Sequence, residues 1–182
     1  MKNKLLAAIV FVFFSVGPTH AGLIGDTIDW QYYFNGSTYN LLGSPGSFTA
    51  GSTTDDFDTY FTISANDTQI IFDYFYDGST SWSLGSPSAT ANGMSISNGL
   101  ELFNFDMSIS SVSINGATNM SGFTLSNIDF TAGAIAIDWA GLSFDSRTLV
   151  VLDINTRDIP EPTTLAVFLL GVIGLASRRL KQ

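Results

Sequence analysis

The chain has 182 residues, a formal net charge of −9 and no cysteine. This length leaves room for one ordinary domain between two specialised ends. The lack of cysteine excludes disulfide bonds and thiolate sites, so the domain has to be stabilised by its core alone.

Residues 1–21 have the composition of a secretory signal peptide. Lys2 and Lys4 supply a positive start, and residues 5–16 after them are apolar apart from Ser15. The segment ends in a small residue, Ala21, as signal peptidase requires. We therefore expect a signal helix that signal peptidase removes by cutting between Ala21 and Gly22. An uncleaved N-terminal anchor is the alternative.

Residues 22–158 form the central domain, and their chemistry is restricted. They contain no histidine, cysteine or lysine, and two arginines against fifteen acidic residues leave a net charge of −13. Such a surface repels nucleic acid, so we expect no nucleic-acid partner. Acid–base and nucleophilic catalysis would have to rely on carboxylates, hydroxyls and two arginines. We therefore expect no enzymatic activity, no cofactor and no metal ligands.

The sequence of this domain contains many short segments in which apolar and polar residues alternate with a period of two. In residues 68–76, for example, Ile70, Phe72 and Tyr74 fall on one face. The predicted strands are 28–34, 47–50, 59–63, 68–76, 94–96, 103–110, 112–114, 122–125, 128–131, 135–139 and 148–154.

Turn dipeptides separate these segments. Asn-Gly occurs at residues 35–36, 92–93, 98–99 and 115–116, and Asp-Gly at 77–78. Asn-Gly between alternating runs is the strongest short-range signal for a hairpin. Many short strands with regular turns predict an all-β domain, and we favour an antiparallel, jelly-roll-like β-sandwich.

The densest acidic cluster is formed by Asp55, Asp56 and Asp58. Calcium takes six to eight oxygen ligands, and such a loop offers several. The regular calcium-loop motif is absent, however, and solvated turn aspartates are the simpler interpretation.

The three tryptophans and six tyrosines are candidates for stacking against sugar rings. Trp139 continues an alternating apolar run, so we expect it in the core. Trp82 is flanked by serines and is the better candidate for an exposed platform. Partial burial of Trp82 at a strand edge is the simpler interpretation.

Residues 159–182 form the C-terminal tail, which begins with Pro160, Glu161 and Pro162. Each proline fixes its own backbone and pushes the preceding residue toward extended conformations. We therefore expect an extended, exposed strip with Glu161 at its centre.

An apolar helix and a basic end are predicted after that strip. Residues 165–176 are uncharged and apolar on all faces, and Arg178, Arg179 and Lys181 follow. This run has twelve residues, whereas a helix that crosses the whole membrane needs about 20. Since the run has no polar face to show to water, we expect a short transmembrane helix, with a buried core helix as the alternative. Basic residues beside a span favour its cytoplasmic side.

Together, the proline strip, the apolar run and the basic end resemble the PEP-CTERM sorting signal of Gram-negative bacteria. The resemblance covers residues 159–182 only. It implies export, a transient inner-membrane intermediate, and processing by exosortase, a membrane-embedded cysteine protease. It further implies delivery to the cell surface or extracellular matrix, often alongside exopolysaccharide.

For the domain itself, the leading hypothesis is a structural or adhesive, non-enzymatic component that associates with exopolysaccharide. A calcium-assisted carbohydrate-binding module is the alternative, and a hydrolase built on paired carboxylates is a third possibility.

Overall fold

The computed structural model describes residues 22–40 and 44–157. The predicted signal helix, the cleavage residue Ala21 and the whole sorting tail lie outside this part of the chain. Among the described residues, no helix is long and apolar enough to cross a membrane.

The described domain consists of β-strands and one short 3-10 turn, Leu125–Asn127, and every strand pairing is antiparallel. The predicted all-β, antiparallel class is therefore confirmed. The strands are β1 Thr27–Phe34, β2 Ser37–Thr38, β3 Gly46–Thr49, β4 Asp55–Phe57, β5 Phe61–Ala65, β6 Gln69–Tyr74, β7 Ser79–Ser81, β8 Ala89–Ala91, β9 Met94–Ile96, β10 Asn98–Phe103, β11 Ser108–Ile114, β12 Ile128–Phe130, β13 Ala134–Asp138, β14 Ser143–Asp145 and β15 Leu149–Arg157.

Two larger sheets form the body of the domain. In the first, the order is β12-β13-β10-β1-β2, and β3 also pairs with β1. In the second, the order is β11-β15-β6-β5-β4. Two small ribbons, β14-β7 and β8-β9, complete the fold. Buried residues of both larger sheets belong to one hydrophobic cluster, so the arrangement is sandwich-like. A jelly-roll connectivity stays a prediction.

The alternating pattern determines which side chains enter this core. Ile70, Phe72 and Tyr74 of β6 are all buried, as their shared face predicts. Phe61 has no exposed surface, and its ring centroid lies 5.2 Å from that of Phe57 and 4.8 Å from that of Tyr74. Aromatic packing at these separations adds to the free energy gained from burying apolar area.

Two of the Asn-Gly turns form the predicted hairpins. Residues 35–36 connect β1 to β2, and residues 92–93 connect β8 to β9. In both turns the asparagine and the glycine adopt positive φ, between 47° and 85°. Positive φ at both central residues is what a two-residue hairpin turn of type I′ requires.

The prediction of a turn at residues 98–99 is wrong, because both residues lie inside β10. Gly99 is paired with Tyr33 on one side and Asp138 on the other. A Cβ atom at Gly99 would overlap the carbonyl oxygen of Ile137. Glycine at this position therefore permits close strand approach rather than a turn.

Two predicted strands are also corrected. The segment 103–110 is not continuous, because Asn104 has a φ of 68° and separates β10 from β11. Residues 122–125 form no strand and lead into the 3-10 turn. The short strands β2, β4, β7, β8 and β14 were not predicted, because none of them contains more than one large apolar residue and no alternating pattern can be recognised.

Replacing Phe61 by alanine should lower the free energy of unfolding by about 3–5 kcal/mol, because it opens a cavity in the shared core. The measurement is urea unfolding of the full chain in mild detergent, followed by tryptophan fluorescence. Phe130→Ala is the matched control. Phe130 is 38% exposed, and its loss should cost less than about 1 kcal/mol. Equal destabilisation by the two variants would show that the core does not lie where the two sheets meet.

Candidate functional site

The acidic cluster predicted as a calcium candidate does not converge. The Asp55 carboxylate accepts a hydrogen bond of 2.9 Å from the indole nitrogen of Trp30. The Asp56 carboxylate accepts one of 2.7 Å from the Thr62 hydroxyl. Asp58 has a φ of 48° and lies beyond the end of β4. In the part of the chain that the structure describes, no group of three or more acidic, histidine or cysteine side chains is placed to hold a metal ion.

Trp82 is buried, with 7% of its surface exposed, so it is not an exposed platform, and the interpretation as a residue buried beside a strand is the better one. The ribbon of β7 and β14 holds it over one end of the core. Its backbone N–H donates to the carbonyl oxygen of Leu142 at 2.8 Å, and its indole N–H donates to the Tyr74 hydroxyl at 3.3 Å. Trp139 is fully buried, as predicted.

One face of Trp82 lines a cavity of about 250 Å³, which we call the aromatic pocket. Its walls are the aromatic side chains Tyr32, Phe34, Tyr39, Tyr60, Tyr76, Trp82 and Phe144. Its polar lining is Thr80, Ser81, Ser83 and Asn98. None of these eleven residues carries a charge, although the domain around them is strongly acidic.

The aromatic rings of the pocket support one another. Tyr60 and Tyr76 are stacked, with centroids 5.6 Å apart and planes inclined by 10°. Tyr60 lies 5.0 Å from Trp82, and Tyr76 lies 5.7 Å from Phe144. Tyr60 and Tyr76 are half-buried, whereas Trp82 and Phe144 are buried. The pocket therefore combines two buried rings with two partly accessible ones.

The polar side of the pocket is fixed by Asn98, which is 1% exposed. The Tyr32 hydroxyl donates to its side-chain oxygen. Its side-chain nitrogen donates to the carbonyl oxygen of Ser83 at 2.7 Å, and its backbone N–H donates to Asp138 at 3.1 Å. A buried polar group satisfied in this way holds one orientation.

The tyrosine hydroxyls of the pocket are close enough to affect one another. Burial raises the pKa of Tyr60, and the neighbouring Tyr76, Asp58 and Tyr39 raise it further. Burial likewise raises the pKa of Tyr32, with added contributions from Tyr60 and Tyr39. Tyr32 and Tyr60 are therefore neutral at physiological pH, as hydroxyl groups that both donate and accept hydrogen bonds.

A larger cavity, of about 450 Å³, lies beside Arg147. The Arg147 guanidinium is 88% exposed and lies 3.1 Å from the Asp145 carboxylate. The backbone and side-chain N–H groups of Arg147 lower the pKa of Asp145. The one cation at this cavity is thus already paired and faces solvent, so the site offers less than the aromatic pocket to a ligand.

Glu101 is a buried carboxylate that lies away from both cavities. It is 3% exposed, accepts a hydrogen bond of 3.0 Å from the Tyr33 hydroxyl, and is also contacted by the Asn92 amide. Burial and this hydrogen bond raise the pKa of Tyr33 to about 12. The contacts hold the β8–β9 hairpin against the first sheet, which is a structural role.

The aromatic pocket could be anticipated only in part. The abundance of tyrosine and tryptophan indicates stacking surfaces, but these rings come from distant segments of the chain. Tyr39 follows β2, Tyr60 precedes β5 and Tyr76 follows β6. No local motif in the sequence predicts that they meet.

The comparisons with known proteins bear on the tail. Residues 158–180 match the PEP-CTERM protein-sorting motif. The resemblance recognised in the sequence is thereby confirmed, and the motif implies an exported protein that exosortase processes. It also implies a membrane-anchored intermediate before surface sorting in a Gram-negative bacterium. No curated protein and no solved structure matches the chain.

The residues assigned to the tail fall in or beside this match. The proline strip (Pro160, Glu161, Pro162) and the basic pair (Arg178, Arg179) lie inside the matched range, and Lys181 lies one residue beyond it. Their separate roles, and cleavage before Gly22, stay predictions.

The domain should lose stability as the pH rises above about 10. The ordinary tyrosine pKa is 10.0, and that of folded Tyr33 is about 12. A group whose pKa is higher in the folded than in the unfolded state adds to the free energy of unfolding. For Tyr33 this contribution is complete below pH 10 and is lost as the pH rises through 12. Since residues 22–158 contain no lysine or cysteine, tyrosines dominate titration in this window.

The measurement is the free energy of unfolding between pH 8 and pH 12, at constant ionic strength. Tyr33→Phe should show a shallower loss than the wild type, whereas Phe130→Ala, which removes no titrating group, should keep the wild-type slope. A wild-type stability that is constant up to pH 12 would contradict the assignment.

Proposed function

We propose that the exported domain is a non-enzymatic surface or extracellular-matrix component, structural or adhesive, that associates with extracellular polysaccharide. The observation that carries this proposal is the aromatic pocket, which is preformed, uncharged and edged by hydroxyl groups. Sorting through the tail would bring the pocket to the surface, where polysaccharide is the abundant ligand.

The chemistry of the pocket favours binding over catalysis. Hydrolysis of a glycosidic bond needs two carboxyl groups placed on either side of it, one of them protonated. The lining of the aromatic pocket has no carboxyl group, and residues 22–158 have no histidine, lysine or cysteine to replace one. Such a pocket can hold a sugar, but it has no group to break the bond.

A sugar ring suits this lining because it has two kinds of surface. Its C–H face is apolar and loses water favourably against an aromatic ring. Its hydroxyls lie around the edge and need hydrogen-bond partners, and the exposed hydroxyls of Ser81 and Ser83 can both donate to them and accept from them.

The calcium-assisted version of carbohydrate binding is less well supported. Asp55 and Asp56 have separate hydrogen-bond partners, Trp30 and Thr62. Ligands for calcium have to converge on one point at 2.3–2.6 Å. We therefore propose binding that does not depend on calcium.

The tail supplies the route to the surface. In this proposal, residues 165–176 hold the exported chain briefly in the inner membrane while exosortase reads the strip around Glu161. Release then delivers the domain to the surface or matrix.

The test is fractionation of cells that produce the full chain. The wild type should elute with the high-mass polysaccharide of the extracellular matrix and move to low mass when that polysaccharide is depolymerised. Glu161→Ala should instead accumulate as a precursor in the membrane fraction, with Thr164→Ser as the tail control. An elution that does not change on depolymerisation would contradict the association with polysaccharide.

A further inference from the structure

We infer that the aromatic pocket binds a neutral sugar unit of a polysaccharide and discriminates against acidic sugars. This inference rests on the proposed function and names the ligand class of its site. Three properties of the pocket carry it: its size, the absence of charge in its lining, and the geometry of its rings.

The size of the pocket suits a small ligand. Its volume of about 250 Å³ lies just below the range of about 300–1,000 Å³ that is typical for drug-sized ligands. One sugar ring, with part of a neighbouring ring at the mouth, fits this volume better than a peptide segment does.

The surroundings of the pocket select against negative charge. A uronic acid would bring a carboxylate into a domain with a net charge of −13, beside Asp58 and Asp138, and the pocket lining has no cationic partner for it. A neutral sugar does not meet this repulsion.

The stacked pair of Tyr60 and Tyr76 forms the floor for the sugar ring. Tyr60 is packed between Tyr76 and Trp82, at 5.6 Å and 5.0 Å. Phe144 supports both tyrosines, at 5.9 Å and 5.7 Å. Rings held in place by one another lose little conformational entropy when a ligand binds.

Hydrogen-bonding groups stand at the edge of this floor. The amide of the buried Asn98 is occupied by Tyr32 and Ser83, so it fixes the wall of the pocket and leaves the contacts with a ligand to exposed hydroxyl groups. The exposed Ser81 hydroxyl is 2.8 Å from that of Ser143, and the two can share donors and acceptors with sugar hydroxyls. An apolar floor with a neutral polar edge is the complement of a pyranose ring.

The experiment measures binding of oligosaccharides of equal length to the full chain in mild detergent, by isothermal titration calorimetry. The neutral probes are cellohexaose and mannohexaose. The charged probe is hexagalacturonate. We expect at least one neutral probe to bind, the charged probe to bind at least tenfold more weakly, and EDTA to leave the affinity unchanged.

Variants of Tyr76 connect that binding to the pocket. Tyr76→Ala should weaken binding of the neutral probe by about tenfold or more, because one ring of the stacked pair is lost. Tyr76→Phe keeps the ring and should retain most of the affinity, which separates loss of the floor from misfolding. Phe130→Ala, on the far edge of the first sheet, should bind as the wild type does.

Four results would overturn the inference: no binding of either neutral probe, equal or tighter binding of the charged probe, loss of binding in EDTA, or an unchanged affinity in Tyr76→Ala. If the chain still elutes with matrix polysaccharide in such a case, the pocket is not the site and the proposed function stands. If that association is absent as well, both fail.

Discussion

Burial of aromatic rings between two antiparallel sheets is the interaction on which the rest of this domain depends. No disulfide restricts the unfolded chain, because the sequence has no cysteine. Within residues 22–40 and 44–157, the one ion pair joins Arg147 to Asp145 at the surface, where such pairs contribute little. A domain whose carboxylates repel one another is therefore held together by its core, with the fully buried Phe61 at the centre.

The same packing produces the candidate site. Trp82 lies 6.3 Å from Phe61 in the core and 5.0 Å from Tyr60 in the pocket, so it belongs to both. The aromatic pocket is thus the accessible end of the core rather than a separate structure on loops. This continuity explains why its rings are fixed before any ligand arrives. It also means that Trp82 serves stability and recognition together, whereas the half-buried Tyr76 reports more directly on recognition.

What the sequence predicts depends on how local the signal is. The face shared by Ile70, Phe72 and Tyr74 and the hairpin at residues 92–93 follow from neighbouring residues alone. The sorting tail is also contiguous, and its motif can be recognised without a structure. Residues 98–99 show the limit, since the same dipeptide that turns a hairpin elsewhere lies within a central strand here. Trp82 shows the same limit of local signals, because its serine neighbours suggest exposure whereas the β7–β14 ribbon buries it. The pocket depends on tertiary contacts between distant segments, and no sequence pattern predicted it.

The central claim is that the uncharged aromatic pocket, and neither the acidic turn nor the cavity beside Arg147, is where the exported domain meets polysaccharide. The most direct measurement is NMR of the full chain with labelled aromatic rings and backbone amides, during titration with oligosaccharides cut from the matrix polysaccharide of the producing cells. This account predicts that the ring signals of Tyr60, Tyr76 and Trp82 shift together and saturate. Shifts confined to Asp55 and its neighbours, or to the surroundings of Arg147, with the pocket signals unmoved, would contradict it.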